Sequence, residues 1–207
     1  MFETAATALD WFGVIVFAIT GSLVASRKQM DIVGFILLGL VTGIGGGTLR
    51  DVLLGYLPVF WVRNPAYLVV CALVSGLVFF TAHIPQSRYR ILLWLDAIGL
   101  AVFAVTGAAT AAEAGAGWTV VVAMGVITAT FGGIIRDVLG GESPVILRRE
   151  IYASAALIGA VTFASLLAFG TPRELAIGAG FAVGLFVRAA ALYSGWSLPR
   201  YRARAGL

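Results

Sequence analysis

The chain has 207 residues, 60% hydrophobic and 12% charged, with a mean hydropathy of +1.00. Soluble domains carry roughly twice that charge, so a water-soluble fold is excluded and an all-α integral membrane protein is expected. The excess of four positive charges marks cytoplasmic loops in such a protein rather than a nucleic-acid surface, and the single cysteine, Cys71, excludes an intramolecular disulfide.

A bilayer core takes about 20 helical residues. Seven segments meet that length: 8–26, 32–54, 65–83, 91–112, 118–140, 150–169 and 173–193. None alternates as a barrel strand would. No basic region precedes the first segment, which is long enough to stay in the bilayer, so no cleaved signal is expected. Trp61, Trp94, Trp118 and Trp196 fall near span ends, as an aromatic belt requires.

The chain repeats itself at an offset of 86 residues. Asp10, Gly13, Phe17, Ala18, Thr20 and Gly21 match Asp96, Gly99, Phe103, Ala104, Thr106 and Gly107. Thr42–Pro58 (TGIGGGTLRDVLLGYLP) matches Thr128–Pro144 (TATFGGIIRDVLGGESP) without a gap. Residues 5–90 therefore form one three-helix unit and 91–171 a second. Residues 172–195 add a seventh helix, and 196–207 a short basic tail suited to anionic headgroups. Three is odd, so the second unit enters the membrane from the other side, as an inverted repeat within one membrane domain.

Orientation follows from the basic residues. Eleven (Arg27, Lys28, Arg88, Arg90, Arg136, Arg148, Arg149, Arg188, Arg200, Arg202, Arg204) fall on one side and three (Arg50, Arg63, Arg173) on the other. The rich side is cytoplasmic, which puts the N-terminus outside and the C-terminus inside. Small residues four apart mark close helix contacts: Gly180 and Gly184 in the seventh helix, and Gly13, Gly21 and Ala25 on the face of the first that carries Phe17. Whether those faces meet within or between subunits stays open at this point.

The glycine stretches carry the chemistry. Gly43, Gly45, Gly46 and Gly47 each disfavour helix by about 1 kcal/mol relative to Ala, which predicts an interrupted second span. Gly132 and Gly133, behind Phe131, predict the same in the fifth. Each break falls near the midplane and frees carbonyls, around Thr42–Gly45 and Thr128–Phe131, that must face protein or water. With the hydroxyls of Thr42 and Thr128, such carbonyls suit a small cation; the alternative is that the glycines serve packing alone. Arg50–Asp51 and Arg136–Asp137 lie near opposite interfaces. They read either as snorkelling arginines satisfied by their neighbours or as charged gates at two mouths. Asp10 and Asp96 begin the first and fourth helices, where aspartate caps; Asp96, five residues in, also suits a cation-attracting cavity. One histidine, one cysteine, no metal-ligand cluster and no phosphate loop leave no enzyme constellation, and neither a cofactor nor a structural metal is expected.

These residues resemble a known family. The pattern D-x-x-G-x-x-x-F-A-x-x-G followed by T-G-x-G-G-G-x-x-R-D-x-L-L-G, echoed 86 residues on, is similar to prokaryotic relatives of the trimeric intracellular cation (TRIC) channels, a group also labelled as a glycine-transporter domain. The resemblance covers residues 5 to about 195. It implies seven helices, a homotrimer in the prokaryotic inner membrane, and a pore in each subunit between the second and fifth helices. It implies passage of monovalent cations, chiefly potassium, with sodium as the other permeant ion. Membrane lipid is the other partner; no nucleic acid and no soluble protein is implied. The family's glycine motif falls on Gly45, Gly46 and Gly47; in the second copy Phe131 replaces its first glycine, and only Gly132 and Gly133 match. The basic lipid-interacting motif of the animal members has no clear match. The alternative function is a secondary transporter for a small amino acid such as glycine, since transporters also use inverted repeats with broken helices.

Overall fold

Among the described residues seven helices of 16 residues or more follow one another. The computed structural model describes residues 2–83, 87–148 and 150–199, with side chains from Thr7 onward. The helices are α1 (Phe2–Arg27), α2 (Ile32–Leu54), α3 (Ala66–Thr81), α4 (Arg88–Glu113), α5 (Trp118–Leu139), α6 (Ala153–Ala168) and α7 (Arg173–Ser194). A single helical turn, Phe60–Arg63, precedes α3, and a 3-10 turn, Val145–Leu147, stands before α6. No strand occurs among the described residues. The expected basic tail lies mostly outside them, since only 196–199 are described.

The chain is a multi-pass membrane protein. α1 (from Thr7), α2, α4, α5 and α7 are long and apolar enough to cross a bilayer. α3 and α6 are apolar but have only 16 residues each, shorter than the expected spans 65–83 and 150–169. At 1.5 Å per residue each covers roughly 24 Å. The chain turns at Ala82 and His83 after α3 and bends through 150–152 before α6, so these residues lie outside the helices.

Polar signals set the helix ends. Asp31 caps α2 by accepting the Gly34 N–H at 2.8 Å, and Ser87 caps α4 by accepting that of Arg90 at 3.3 Å. α2 ends on Gly55 in the left-handed region, with the Tyr56 N–H closing on the Asp51 carbonyl at 2.8 Å. Gly141 and Glu142 repeat this at the end of α5, closing on the Asp137 carbonyl at the same distance.

The two copies pack alike, and they pack on each other. α1 lies against α2 and α3 as α4 lies against α5 and α6; α1 meets α4, and α2 meets α5. α7 covers α6 and α4. At the centre Phe17 rests where Gly99 lacks a Cβ, and Phe103 rests where Gly13 lacks one. The two rings meet edge to face with centroids 5.1 Å apart, and both are buried. The small-residue faces therefore meet within the subunit. Gly21 sits against Thr42 and Leu38 of α2, and Gly180 and Gly184 sit against Gly159 of α6.

The glycine stretches do not break their helices. α2 runs unbroken from Ile32 to Leu54 and α5 from Trp118 to Leu139, contrary to the interruption that propensity predicts. The reason is tertiary. A Cβ on Gly46 would overlap the Thr128 carbonyl oxygen, and a Cβ on Gly132 would overlap that of Thr42. The helices cross backbone to backbone, each presenting a glycine to the other's threonine. Inside a bilayer a broken ladder also leaves amide groups with no water to satisfy them, so the helix persists despite its composition.

Candidate functional site: two buried aspartate–arginine clusters

Arg50 and Asp51 lie near one end of α2 and are 5% and 1% exposed. Neither snorkels. The Arg50 guanidinium donates from Nε and Nη2 to Asp51 Oδ1, at 2.9 and 2.8 Å. Asp51 Oδ2 accepts the Phe60 N–H at 2.8 Å, which ties the following turn to the helix. Across the bundle, Arg50 Nη1 lies 3.7 Å from Asp10 Oδ1, and the Tyr67 hydroxyl donates to Asp10 Oδ2 at 3.2 Å. Tyr67 stacks on Trp11, with centroids 3.8 Å apart.

The second copy builds the same cluster at the opposite end. Arg136 donates from Nε to Asp137 Oδ1 at 2.9 Å, and Asp137 Oδ2 accepts the Val145 N–H at 2.9 Å. Arg136 Nη1 reaches Asp96 Oδ1 at 2.6 Å and Thr20 Oγ1 at 3.1 Å. Asp96 and Arg136 are 1% and 0% exposed. Asp96 Oδ2, Arg136 Nη2 and the Tyr152 hydroxyl have no hydrogen-bond partner among the described residues. In the first cluster Arg63 Nη2 also lies 3.7 Å from Asp51 Oδ2, so its two aspartates are balanced by two arginines, whereas the second holds one arginine and two aspartates and carries a formal charge of −1 in an apolar bundle.

Asp10 and Asp96 are not helix caps. Each sits eight residues into its helix and faces an arginine. Burial without a partner would be costly for any of these groups, and removing one partner of a buried pair typically costs about 3–5 kcal/mol. The positive-side count also changes meaning: Arg136 and Arg188 are buried within helices, not loop charges.

The two clusters differ in access. The Asp10 side chain is 18% exposed and borders a cavity of about 190 Å³, lined also by Thr7, Arg50, Tyr67, Thr106, Thr110, Glu113 and Arg173. Glu113 and Arg173 pair on its wall. Thr106 is the repeat counterpart of Thr20. Thr20 bonds Arg136, whereas the Thr106 hydroxyl has no hydrogen-bond partner among the described residues and borders the cavity. Thr20 lies one helical turn from Phe17, and Thr106 one turn from Phe103 on the other side of the ring pair. An apolar layer therefore separates the open cluster from the closed one.

The expected carbonyl ligands fall elsewhere. Thr42 and Thr128 are buried at the helix crossing, and their hydroxyls donate to Leu38 O at 2.5 Å and Met124 O at 2.6 Å within their own helices. Gly43 packs near Val14 and Cys71, Gly45 against Ile135, Gly47 against the Phe60 ring and Gly133 against Tyr152. Phe131 lies on the far side of the crossing, in a groove with Ile44 and Trp61.

Sequence reasoning missed Tyr67 and Tyr152. Their offset is 85, not 86, because the loop after α5 is one residue shorter than its counterpart. Phe60 and Val145, which serve the same carboxylate role, share that offset. Matching the copies with one gap would have paired the tyrosines.

Comparison with known proteins now places the chain. A family model described as "Glycine transporter" matches residues 7–83 and 93–168, one stretch in each repeat. The UPF0126 inner membrane protein YadS of Escherichia coli K12 is 46% identical over 195 residues, covering 93% of this chain and 94% of that one. A crystal structure of the TRIC trimeric intracellular cation channel orthologue from Rhodobacter sphaeroides superposes with a TM-score of 0.91 at 65% identity, covering 93% of this chain and all of that one. A prokaryotic TRIC channel crystallised in 0.5 M KCl gives a TM-score of 0.89 at 32% identity, covering 96% of this chain. With both repeats matched and that degree of identity along nearly the whole length, the chain belongs to the prokaryotic TRIC family.

Proposed function

We propose that the chain is a monovalent cation channel, chiefly for potassium, that assembles as a homotrimer with one path through each subunit. The observation that carries this reading is the pair of buried aspartate–arginine clusters at opposite ends of the bundle, one bordering a cavity and the other closed. Two aspartates at each end of an apolar bundle, with a formal −1 at the closed cluster, favour entry of a small cation. The cation-channel relatives of known structure support the same reading.

In this reading the path runs in the space between α1, α2, α4 and α5. The α2–α5 crossing is its wall, because backbone contact at Gly46 and Gly132 leaves no room between those two helices. Asp10 and Arg50 form the outer mouth, and Asp96 and Arg136 the inner one. Asp51 and Asp137 fix the arginines and tie down the following turns. The Phe17–Phe103 pair closes the middle. The basic side is cytoplasmic, which places the N-terminus outside.

Planar bilayers test this. Purified protein in symmetric potassium chloride should give discrete single-channel steps, and under a potassium chloride gradient their reversal potential should move toward the potassium equilibrium potential. Silent bilayers together with saturable uptake of labelled glycine would overturn the reading in favour of a transporter.

A further inference from the structure

An arginine within an apolar helix is costly unless it is paired, and unpaired ones reach for the interface. Arg188 of α7 does not reach for it: it is 1% exposed. Its Nη2 donates to Glu150 Oε2 at 2.7 Å and its Nη1 to the Ile151 carbonyl at 3.1 Å. Its guanidinium carbon lies 5.3 Å from the centre of the Tyr152 ring. Three consecutive residues just before α6 are thus held by one side chain of α7, using the planar fork that suits guanidinium to such a task.

Tyr152 carries that hold to the inner cluster. It is 1% exposed, and its hydroxyl occupies the niche left by the missing Cβ of Gly133. A Cβ built there would lie 2.7 Å from the Tyr152 hydroxyl, 3.6 Å from Arg136 Nη2 and 3.7 Å from Asp96 Oδ1. The tyrosine therefore abuts the Arg136–Asp96 contact. The counterpart, Tyr67, is held by stacking on Trp11, by the edge of Phe60 and by its own hydrogen bond to Asp10, and no arginine lies over its ring among the described residues. Its aspartate stays open to the cavity. α7 has no counterpart in the first copy, so the restraint is one-sided.

We infer that Arg188 is a positioning residue for the inner mouth: by holding residues 150–152 it seats Tyr152 on the Asp96–Arg136 contact and keeps that mouth shut. Arg188 does not line the path itself. The inference rests on the channel reading above.

The test is single-channel recording of wild type, Arg188→Gln, Arg188→Lys and Glu150→Gln, each checked for wild-type assembly by size-exclusion chromatography. Arg188→Gln should raise open probability about three- to thirtyfold, the range that a residue coupled to a two-state element commands. Unit conductance should stay unchanged. Arg188→Lys keeps the charge but loses the fork, and should fall between. On an Arg136→Gln background Arg188→Gln should add nothing, since a residue that acts through the contact has no effect once the contact is gone. If Arg188→Gln fails to assemble, Glu150→Gln decides, because the Glu150 side chain is 28% exposed and its change removes only one end of the hold. Wild-type open probability in the assembled variants would overturn the inference, as would a changed unit conductance or an undiminished effect on the Arg136→Gln background. A wild-type protein without current would instead overturn the channel reading.

Discussion

Replacing Gly46 with alanine adds one methyl group, and its sign separates a packing crossing from a broken helix. If Gly46 marked a break, alanine would favour helix by about 1 kcal/mol and stabilise the protein. The structure predicts the opposite. The new Cβ would meet the Thr128 carbonyl oxygen closer than 3.0 Å, and that oxygen is backbone, unable to swing aside. α2 and α5 must separate, and overpacking of this kind costs about 1–3 kcal/mol. Subtracting the propensity gain leaves a net loss of up to about 2 kcal/mol, a fall in Tm of roughly 4–8 °C at 2–4 °C per kcal/mol. Gly132→Ala should match it, since its Cβ meets the Thr42 carbonyl in the same way. Gly45→Ala should cost less, because its nearest obstacle at 2.9 Å is the mobile end of Ile135. Gly76→Ala in α3 is the control: nothing lies within 4 Å of its Cβ, so it should leave Tm equal or higher. The assay is thermal unfolding in detergent followed by size-exclusion chromatography, with potassium flux in proteoliposomes measured alongside. Gly46→Ala and Gly132→Ala above wild-type Tm would refute the crossing argument.

Three further outcomes follow from the same geometry. Arg136→Gln leaves Asp96 and Asp137 without their arginine in a site with no exposure, so it should cost stability by about 3–5 kcal/mol and raise potassium flux. Arg50→Gln should do less of both because Asp10 is already open to the cavity; equal effects in the two variants would show that the mouths do not differ. Phe17→Ala removes a fully buried ring from the central layer, and should raise basal flux while lowering stability by about 3–5 kcal/mol; Phe17→Leu should keep most of both, and unchanged flux in assembled Phe17→Ala would take the rings out of the path. A reporter active only in the cytoplasm should work when fused after Leu207 and stay silent when fused before Met1, and the reverse pattern would invert the proposed orientation.

What the sequence revealed and what it hid have one physical cause. The repeat was legible because it preserves pairs that touch: Gly13 with Phe103, Gly99 with Phe17, Thr42 with Gly132, Thr128 with Gly46. Asp10, Arg50 and Asp51, and their counterparts, were visible as charges that an apolar helix does not carry idly. Their meeting was not visible, because it depends on where α1 crosses α2 and α4 crosses α5. The continuity of α2 was hidden because propensity counts only local terms. Three adjacent glycines disfavour helix by about 1 kcal/mol each, yet a backbone-to-backbone crossing in a dry bundle outweighs that sum. Arg188 was hidden for the opposite reason. Near the end of a span an arginine looks like a loop charge, and only its partners in 150–152 reveal it as buried. The departures from the repeat are therefore as informative as the repeat. Trp11 stands where the second copy has Ala97, and one residue is missing from the loop before Val145. The Phe60 ring fills the space beside Gly47 that the Tyr152 hydroxyl takes beside Gly133, and α7 presses on one copy only. Duplication explains why there are two clusters. These four departures explain why one stands open to a cavity and the other is closed.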